Sequence, residues 1–422
     1  MEEIEKTFSK EQAIVEAKRC LYCYDAPCQA ACPANVPIPE FIQSIRTDNL
    51  KGAQEIIREA NPFIETCGRV CPEESFCQSA CTRAKVDTPI RIRELHRYIT
   101  DNTNPSENLE LKPATKEKVA IIGGGPAGLA CAVELRRQGY KPVIFEKKQL
   151  GGIPVNEISK IRLPENISQK EVKFIHHNFI YQTKDIKITS LKELNEDFKA
   201  VFIATGLPDE LNLNIPNTTL KGVYQAREIL KKAKVGIKPQ IFKRAGVIGG
   251  GNVALEVASV LKREYPNSDV EVIYRRSEKE LKAFKKEIEE AIDSGVTFQF
   301  LAIPKEIKGK ERVEGVVVTR AHLGEKDASG RRHPEPIPHS DFIIPLDIIV
   351  IAIGQKSSNF FPEIEKDKRG LIKVNDDMST NVKGVFAGGD IVKGPSTIVE
   401  SVAQGKKAAE SIVKYIEGEK NV

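Results

Sequence analysis

The sequence predicts an α/β protein in which a helical, cysteine-rich N-terminal domain precedes two similar α/β domains, the second inserted into the first. Eight of the nine cysteines lie in the first fifth of the chain. An apolar strand, a glycine-rich turn and a helix follow one another in KVAIIGGGPAGLACAVELRR and again in AGVIGGGNVALEVASVLKRE. Further short apolar strands alternate with helical segments, which is typical of parallel sheets with crossover helices.

Length and composition limit the classes of protein. The 422 residues suggest two or three domains, and 29% charged and 40% hydrophobic residues are ordinary for a globular chain. The net charge of +5 comes from interleaved lysines and glutamates without a basic stripe, so no nucleic-acid partner is expected. The opening MEEIEKTFSKEQ has no apolar signal stretch, and no long uncharged apolar run follows. We therefore expect a cytoplasmic protein without a membrane partner.

Changes in composition along the chain predict the domain boundaries. The run NTNPSENLELKPATKEK has the residues of a linker and closes the helical domain. The strand in LDIIVIAIGQ, then GVFAGGD and the helix from about Ser396, are predicted to complete the first α/β domain after the insertion. The expected division is 1–112 for the helical domain, 113–215 and 346–422 for the first α/β domain, and 216–345 for the inserted domain.

The first glycine turn has the G-x-G-x-x-G spacing of a dinucleotide-binding turn. Such glycines permit a tight turn, the approach of a pyrophosphate and close packing of helix on strand. Glu146 ends the following strand, where a carboxylate can accept hydrogen bonds from a ribose diol. A plain glycine-rich loop is the alternative, but strand, helix and acid together favour a nucleotide. The residues predicted to bind it are Gly123, Gly125, Ala127, Gly128 and Glu146.

The second turn has the spacing G-x-G-x-x-A and ends its next strand in two arginines instead of an acid. Guanidinium groups there would bind a 2′-phosphate, whereas a carboxylate would repel it. The arginines could instead be solvated surface charges. We predict NADPH at this turn, with NADH possible, and FAD at the first, which together suffice for hydride transfer to a flavin. The predicted residues are Gly249, Gly251, Asn252, Val253, Arg275 and Arg276.

The cysteines form two runs, C-x2-C-x4-C-x3-C and C-x3-C-x5-C-x3-C. Disulfides would need an oxidising compartment, which nothing in the sequence supports. Structural zinc prefers two tight C-x2-C pairs, and here there is one, whereas iron–sulfur cubanes accept irregular spacing. The runs therefore favour iron–sulfur clusters, with zinc as the alternative.

The two dinucleotide units together resemble the flavoprotein group in which a nicotinamide domain interrupts the FAD domain. The segment GVFAGGDIVKGPSTIVESVAQGKKAA is similar to the third motif of that group. The resemblance implies that Gly389 and Asp390 contact the ribityl or pyrophosphate part of FAD and that Thr397 faces the flavin at a helix N-terminus. A plain strand-to-helix turn is the alternative for Gly389 and Asp390. The segment GGIPVNEISKIRLP, with an irregular middle, implies flavin contacts from Gly152 and Arg162.

The cysteine runs, from CLYCYDAPCQAACPANVPIPEFI to GRVCPEESFCQSACTRAKVDTPIRIRELHRYITD, resemble a known iron–sulfur domain. It is shared by the small subunit of bacterial glutamate synthase, the flavin module of dihydropyrimidine dehydrogenase and the large subunit of bifurcating transhydrogenases. The resemblance implies two 4Fe-4S clusters, the second completed by a residue other than cysteine, with Cys67 as the alternative. The implied ligands are Cys20, Cys23, Cys28 and Cys81 for one cluster, and Cys32, Cys71, Cys77 and His96 for the other.

The resemblance implies an NAD(P)H-dependent FAD oxidoreductase that passes electrons to a catalytic oxidoreductase subunit, a ferredoxin or both, within a hetero-oligomer. It leaves open the final acceptor and whether the flavin bifurcates electrons. No nucleophile triad or zinc-hydrolase pattern is present, so no catalytic side chain is predicted. The alternatives are a stand-alone ferredoxin:NAD(P) oxidoreductase and a metal-bound scaffold without turnover. A disulfide reductase is disfavoured because Cys131 is the single cysteine after the N-terminal runs.

Overall fold

The computed structural model describes residues 3, 6–105, 109–194, 198–327, 330–358 and 360–420. The chain divides into two compact units, one formed by the residues up to Pro208 with those from Lys356 onward, the other by Asp209–Gln355. Residues 106–108 of the predicted linker lie outside the described residues.

The N-terminal part of the first unit is helical, as predicted. Ser9 and Gln12 form a capping box that begins the first helix. The third and fourth helices are amphipathic and bury Phe41, Ile45 and Ile57 on their inner faces. Two short 3-10 turns, Glu73–Ser75 and Thr82–Lys85, lie beside the second cysteine run. The helices are α1 (Lys10–Lys18), α2 (Pro27–Ala30), α3 (Ile38–Arg46), α4 (Leu50–Ala60), α5 (Ile64–Val70) and α6 (Ile92–Asp101).

A five-stranded parallel sheet forms the rest of the first unit, with the strand order β15-β4-β1-β2-β3. Its strands are β1 (Lys118–Ile122), β2 (Lys141–Phe145), β3 (Gln182–Lys184), β4 (Phe198–Ile203) and β15 (Val385–Ala387). Its helices are α7 (Pro126–Arg137), α8 (Ile153–Asn156), α9 (Glu165–Phe179), α13 (Asp390–Lys393) and α14 (Ile398–Lys420). The edge strand β15 follows the inserted domain in the sequence. This confirms the prediction that the second α/β domain is inserted into the first.

The N-terminal helices and this sheet share one hydrophobic core. Phe63 and Ile64 of the helical part belong to the same buried cluster as Val133 of α7, Ile175 of α9 and Ile412 of α14. Burial of apolar surface is the main stabilising term in folding, so the cysteine-rich helices are part of this unit rather than a tethered module.

The second unit contains another five-stranded parallel sheet, in the order β6-β13-β7-β8-β9, and an antiparallel sheet in the order β10-β11-β12. The first sheet is built from β6 (Val223–Gln225), β7 (Arg244–Ile248), β8 (Asp269–Tyr274), β9 (Thr297–Phe300) and β13 (Ile348–Ile351). The second has β10 (Ala302–Lys308), β11 (Gly315–Lys326) and β12 (Arg332–Pro345). The helices are α10 (Ala226–Lys234), α11 (Asn252–Glu264) and α12 (Lys285–Asp293). The short strands β5 (Asp209–Glu210) and β14 (Gln355–Lys356) form a further two-stranded sheet.

The structure corrects one prediction about the strands. The strand of LDIIVIAIGQ was expected in the first α/β domain, but Ile348–Ile351 lies between β6 and β7 in the parallel sheet of the second unit. All four of its residues are buried, so it reads as a central parallel strand that either sheet could accept. The boundary expected at residue 346 is therefore wrong for this strand, and the second unit extends to Gln355.

Candidate cofactor sites

The first glycine turn lies between β1 and α7, at the carboxyl edge of the first sheet. Gly123 has φ +106°, and a Cβ atom there would lie 2.4 Å from the carbonyl oxygen of Ala204, so the position requires glycine. By contrast, a Cβ atom on Gly125, the N-cap of α7, would meet nothing nearer than Gly152 Cα at 4.0 Å. The turn is thus closely packed at Gly123 and open at Gly125, where a phosphate group would need to approach.

Glu146 lies directly beside this turn, as predicted. Its side chain accepts hydrogen bonds from the backbone N–H of Gly124 (2.8 Å) and of Lys148 (2.9 Å). These bonds fix the carboxylate at the end of β2, over the glycine turn. A carboxylate held there can accept from a ribose diol.

The segment after β15 reaches the same place. Asp390 begins α13, where its Oδ1 accepts hydrogen bonds from the Ser396 hydroxyl (2.6 Å) and backbone N–H (3.2 Å). Burial raises the pKa of Asp390 to about 6, although the bonds from Ser396 oppose the shift. Gly389 precedes Asp390, and its N–H donates to Gln404 Oε1 of α14 at 2.8 Å. Gln404 carries no sequence motif of its own and was missed by the sequence analysis.

Thr397 lies at the N-terminus of α14. Its hydroxyl and N–H donate to Glu400 Oε2 at 2.7 and 2.9 Å, and the Glu400 N–H donates back to the hydroxyl at 3.3 Å. This reciprocal arrangement is a capping box at the start of the 23-residue helix α14.

The structure places the two residues of the GGIPVNEISKIRLP segment differently. Gly152 is packed on the glycine turn, since a Cβ atom on it would lie 2.9 Å from Gly125 Cα. Arg162 lies between α8 and α9, where its N–H donates to the carbonyl of Ser159 at 3.0 Å. The flavin contact of Arg162 stays a prediction.

The second glycine turn, between β7 and α11, repeats the geometry of the first. A Cβ atom on Gly249 would lie 2.3 Å from the carbonyl oxygen of Ala352, whereas no described atom lies within 4 Å of the corresponding position on Gly251. Asn252 and Val253 begin α11, and Asn252 Oδ1 accepts a hydrogen bond from the N–H of Phe284 at 2.8 Å. This turn is therefore also open to a phosphate above its second glycine.

The structure separates the two arginines that were predicted to act together. Arg275 is exposed and is the first residue after β8, which is the place that Glu146 takes after β2. Arg276 is 3% exposed, and its guanidinium donates to the carbonyl of Arg332 (2.9 Å) and to Asp327 Oδ2 (2.6 Å). These contacts commit Arg276 to the protein and disfavour its predicted contact with a phosphate.

The four cysteines expected to share the first cluster are brought together. Cys20, Cys23, Cys28 and Cys81 line one cavity, together with apolar residues that include Ile38 and Ile42. Burial raises the pKa of Cys28 to about 12 and also raises that of Cys20, so these thiols need a cation to be held as thiolates. Among the described residues, no three His, Cys, Asp or Glu side chains are arranged to hold a single metal ion.

The remaining cysteines form a second group. Burial raises the pKa of the Cys71 thiol far above its ordinary value, and the neighbouring Cys67, Cys77 and Cys32 raise it further. The pKa of Cys77 is raised by burial, then by Glu73 and Cys32. Cys67 thus lies with the three predicted ligands rather than apart from them.

His96, the predicted fourth ligand, is buried on α6. Burial lowers its pKa to about 4, so its imidazole is neutral, as a metal ligand must be. Its Nε2 atom finds no hydrogen-bond partner among the described residues. Helix α6 packs closely on α5, because a Cβ atom on Gly68 would lie 3.2 Å from Arg97 Cα. The two candidate ligands, His96 and Cys67, therefore lie on neighbouring helices beside these close-packed residues.

A buried carboxyl group of the first α/β domain holds the cysteine-bearing helix α5. Glu171 of α9 accepts hydrogen bonds from the N–H groups of Glu65 (2.7 Å) and Thr66 (3.2 Å), and also from the Thr66 hydroxyl. These are N–H groups of the first turn of α5, which otherwise lack partners. Lys406 of α14 adds a bond to the carbonyl of Ala60 at 2.7 Å. Neither contact has a sequence motif, and the sequence analysis did not identify them.

Two family profiles match the chain. The profile described as pyridine nucleotide-disulphide oxidoreductase matches residues 117–405, and the one described as dihydropyrimidine dehydrogenase domain II, 4Fe-4S cluster, matches residues 1–108. The groups bound in these families are FAD, NAD(P) and 4Fe-4S clusters. No described helix is long and apolar enough to cross a membrane.

Several curated proteins are similar to the chain. Subunit PreT of the NAD-dependent dihydropyrimidine dehydrogenase of Escherichia coli is 37% identical, over 99% of this chain and 98% of its own. The glutamate synthase [NADPH] small chain of Halomonas elongata is 32% identical, over 98% and 93%. The NADPH-Fe(3+) oxidoreductase subunit beta of Geobacter sulfurreducens is 34% identical over 93% of this chain, which spans 64% of that protein.

Among solved structures, FprA of Mycobacterium tuberculosis has the same fold over much of the chain. Its TM-score is 0.63 at 20% sequence identity, covering 74% of this chain and 86% of FprA. This likeness shows that the two chains share their fold over the part that aligns.

Proposed function

Because the chain belongs to the pyridine nucleotide-disulphide oxidoreductase family and carries the iron–sulfur domain of dihydropyrimidine dehydrogenases, we propose that it is an electron-transfer subunit. It oxidises NADPH, and FAD and two 4Fe-4S clusters deliver the electrons to a partner oxidoreductase subunit in a hetero-oligomer. When bound, the flavin accepts hydride and the clusters carry single electrons. The observation that carries this proposal is the common core of the cysteine-bearing helices and the first glycine-turn helix.

The residues around the first turn fit FAD. The open face at Gly125 receives the pyrophosphate, Glu146 the ribose, and Asp390 a hydroxyl or phosphate of the cofactor. Although burial raises its pKa to about 6, Asp390 is largely ionised at neutral pH and can accept a hydrogen bond from a hydroxyl. The N-terminus of α14 at Thr397 stabilises negative charge on the reduced ring. The contributing residues are Gly123, Gly125, Ala127, Gly128, Glu146, Gly152, Arg162, Gly389, Asp390 and Thr397.

The second turn fits the nicotinamide dinucleotide. Gly249 and Gly251 shape the pyrophosphate site, Asn252 and Val253 begin the helix behind it, and Arg275 binds the 2′-phosphate. Relatives named for NADPH and for NAD both match the chain, so the choice depends on this end of β8. The exposed arginine in the place of a carboxylate supports NADPH.

The cysteines fit two clusters. Cys20, Cys23, Cys28 and Cys81 hold one, and Cys32, Cys71, Cys77 and His96 hold the other, with Cys67 as the rival fourth ligand. The unpartnered, neutral Nε2 atom of His96 supports histidine. Eight cysteines of the N-terminal runs without a disulfide favour a reducing compartment, so we place the protein in the cytoplasm.

The test is a spectrum followed by a titration of the full chain purified without oxygen. It should contain bound FAD and about eight irons, as two cubanes require. NADPH should bleach the flavin and support ferricyanide reduction. A chain that binds no flavin, or whose flavin NADPH and NADH both leave oxidised, would end the proposal.

The clusters are tested separately as the route to the partner. A Cys20→Ser/Cys23→Ser chain should lose one cluster and still be reduced by NADPH, but it should no longer drive the partner subunit. Cys131→Ser is the matched control, because this buried cysteine lies on α7 outside both groups. If the double variant drives the partner at the wild-type rate, electrons leave from the flavin directly.

The fourth ligand of the second cluster is decided by two single variants. His96→Ala should change or remove the paramagnetic signal of one cluster and leave flavin reduction intact, whereas Cys67→Ala should keep both signals. The reverse result assigns the ligand to Cys67.

A further inference from the structure

A polar stripe on α14 lies against the Gly389–Asp390 segment of the FAD site. We propose that Gln404 is a positioning residue of this site, which fixes the Gly389 peptide so that Asp390 is presented to the cofactor. This inference rests on the proposed function and deepens it. Gln404 belongs neither to a glycine turn nor to the residues predicted to bind a nucleotide.

The Gly389 peptide has a conformation that is almost confined to glycine, with φ +79° and ψ −158°. The N–H of the preceding Gly388 still belongs to the sheet and donates to the carbonyl of Ile203 at 3.1 Å. Gly389 is buried beyond the end of the sheet, and its N–H donates instead to Gln404 Oε1 at 2.8 Å. Such conformations persist only where the surroundings fix them, so this bond determines how the chain enters α13.

The backbone of α14 is itself held in place beside the first glycine turn. A Cβ atom on Gly405 would overlap the carbonyl oxygen of Ala127, which lies in the first turn of α7. A Cβ atom on Gly389 would lie 3.0 Å from Ala127 Cβ. Because Gln404 directly precedes Gly405, the close packing of α14 on α7 fixes the glutamine between the two segments of the FAD site.

Ser401, three residues before Gln404, supports the same segment. It is 7% exposed, and its hydroxyl lies 3.4 Å from Ser396 Oγ. Ser396 in turn donates to Asp390 from both its hydroxyl and its N–H. Thr397, Ser401 and Gln404 have the spacing i, i+4 and i+7, which places them on one face of the helix. This face of α14 therefore holds the chain on both sides of Asp390.

The contacts of Asp390 leave one of its oxygens for the cofactor. Both bonds from Ser396 go to Oδ1, whereas Oδ2 accepts no hydrogen bond within the part of the chain that the structure describes. A carboxylate oxygen can accept from a hydroxyl of bound FAD. Rotation of the Gly389 peptide would turn the following residue, and with it this oxygen. Gln404 therefore acts on the cofactor through Asp390.

The experiment measures the Kd of FAD by equilibrium dialysis with the full chain, freed of flavin but with its clusters retained. Gln404→Met keeps the length of the side chain but removes its oxygen, and it should raise the Kd about ten- to a hundredfold. Gln404→Glu retains an oxygen at the same place and should keep most of the affinity. Glu410→Met is the matched control, because this residue of the same helix is exposed.

Urea unfolding of the flavin-free chain separates positioning from a general structural role. The midpoint of Gln404→Met should equal that of the wild type, because without cofactor the Gly389 peptide is free to rotate and its N–H can reach water. Gln404→Asn keeps the amide but withdraws its oxygen by one methylene group, so it should lose FAD affinity as Gln404→Met does. If Gln404→Met does not fold, the contrast between Gln404→Asn and Gln404→Glu decides by the same criteria.

Three results would overturn the assignment. The first is a wild-type Kd for FAD in Gln404→Met. The second is an equal loss of affinity in Gln404→Met and Gln404→Glu, since the side-chain oxygen would then not be what holds the site. The third is a loss of affinity that only accompanies a lower urea midpoint of the flavin-free chain. A wild-type chain that binds no FAD would instead refute the proposed function.

Discussion

The two glycine turns of this protein have the same backbone but opposite charges beside them. In the first, Gly123 N–H donates to Phe145 at 2.9 Å and Ala204 N–H to Ile122 at 2.8 Å. In the second, Gly249 N–H donates to Ile273 at 3.2 Å and Ala352 N–H to Ile248 at 2.9 Å. The residue after the next strand is Glu146 in one and Arg275 in the other. We therefore expect that the fold supplies a phosphate site twice and that one side chain at a fixed position decides which nucleotide fits.

The two turns also differ in what lies behind them. Behind the first, α7, α9 and α14 all contact the N-terminal helices. Arg137 of α7 donates to the carbonyl of Glu59 at 2.9 Å, Lys406 of α14 to that of Ala60, and Glu171 of α9 holds α5. The second turn lies in a compact unit of its own. The difference suits the first turn for a cofactor that remains bound beside the clusters.

The largest effect should come from filling the tight position of each turn. Gly123→Val should abolish FAD binding and lower the free energy of unfolding by about 3 kcal/mol, because its Cβ atom would overlap a backbone oxygen. Gly249→Val should keep FAD and lose reduction by NADPH. Urea unfolding and the ratio of flavin to protein absorbance measure both.

Gly251→Ala is the control for this comparison, since its Cβ position is open and stability should change by less than about 0.5 kcal/mol. If Gly123→Val retained stoichiometric FAD, the first turn would not be the flavin site.

The sequence predicted these turns because a strand, a glycine turn and a helix are adjacent in the chain and the motif is local. It failed where the outcome depends on contacts between distant segments. The strand Ile348–Ile351 is apolar on both faces, and nothing local says which of two parallel sheets it joins. Its neighbours β6 and β7 lie more than ninety residues earlier in the chain.

The site residues divide in the same way. Arg275 and Arg276 are the same residue type in sequence, but consecutive residues point in opposite directions at a strand end, so one is exposed and the other is buried. The set Cys20, Cys23, Cys28 and Cys81 was implied by resemblance, and the cavity that they line has that composition. Glu171 was missed because a glutamate in an ordinary helical pattern gives no sign that it will cap another helix.

Asp390 makes the stability of the first turn's domain depend on pH. The sequence motif of the second turn contains no counterpart of this residue. Its pKa is raised from 3.8 to about 6 by burial, so the folded chain binds this proton more tightly than the unfolded chain. In the FAD-free chain, protonated Asp390 should therefore make its full contribution to the free energy of unfolding below about pH 4. Up to about 3 kcal/mol of that contribution should be lost as pH rises through 6.

Urea unfolding of the FAD-free chain from pH 4 to 8 measures this contribution. Asp390→Asn should flatten the difference between the two ends of that range. Parallel curves for the wild type and Asp390→Asn would show that Asp390 titrates normally.

At the second turn, removal of the charge should have a smaller effect that depends on the nucleotide. Arg275→Ala should lower kcat/KM for NADPH about ten- to a hundredfold and spare NADH, because a charge-assisted hydrogen bond contributes about 1.5 to 3 kcal/mol. Steady-state ferricyanide reduction with each nucleotide measures it. A wild type that already prefers NADH would contradict the role of the arginine.

The smallest effect is expected from an amide in place of Glu171, at the contact that joins the first turn's domain to the cysteine-bearing helix α5. Burial, and then Glu65, raise the pKa of Glu171 far above its ordinary value. Burial also opposes ionisation of Glu65, but Arg58, at 2.6 Å, keeps the pKa of Glu65 below its ordinary value. A neutral Glu171 beside an ionised Glu65 can be replaced by an amide, whose oxygen accepts the same N–H bonds.

Glu171→Gln should therefore change the free energy of unfolding by less than about 1 kcal/mol and keep the full iron content, whereas Glu171→Leu should cost about 2 to 4 kcal/mol. The leucine would leave two backbone N–H groups at the start of α5 without their acceptor, next to Cys67. Urea unfolding and iron analysis of both variants make the comparison. Equal losses in the two would mean that Glu171 is ionised, and that the first domain holds the cysteine helix by charge rather than by a shared hydrogen-bond acceptor.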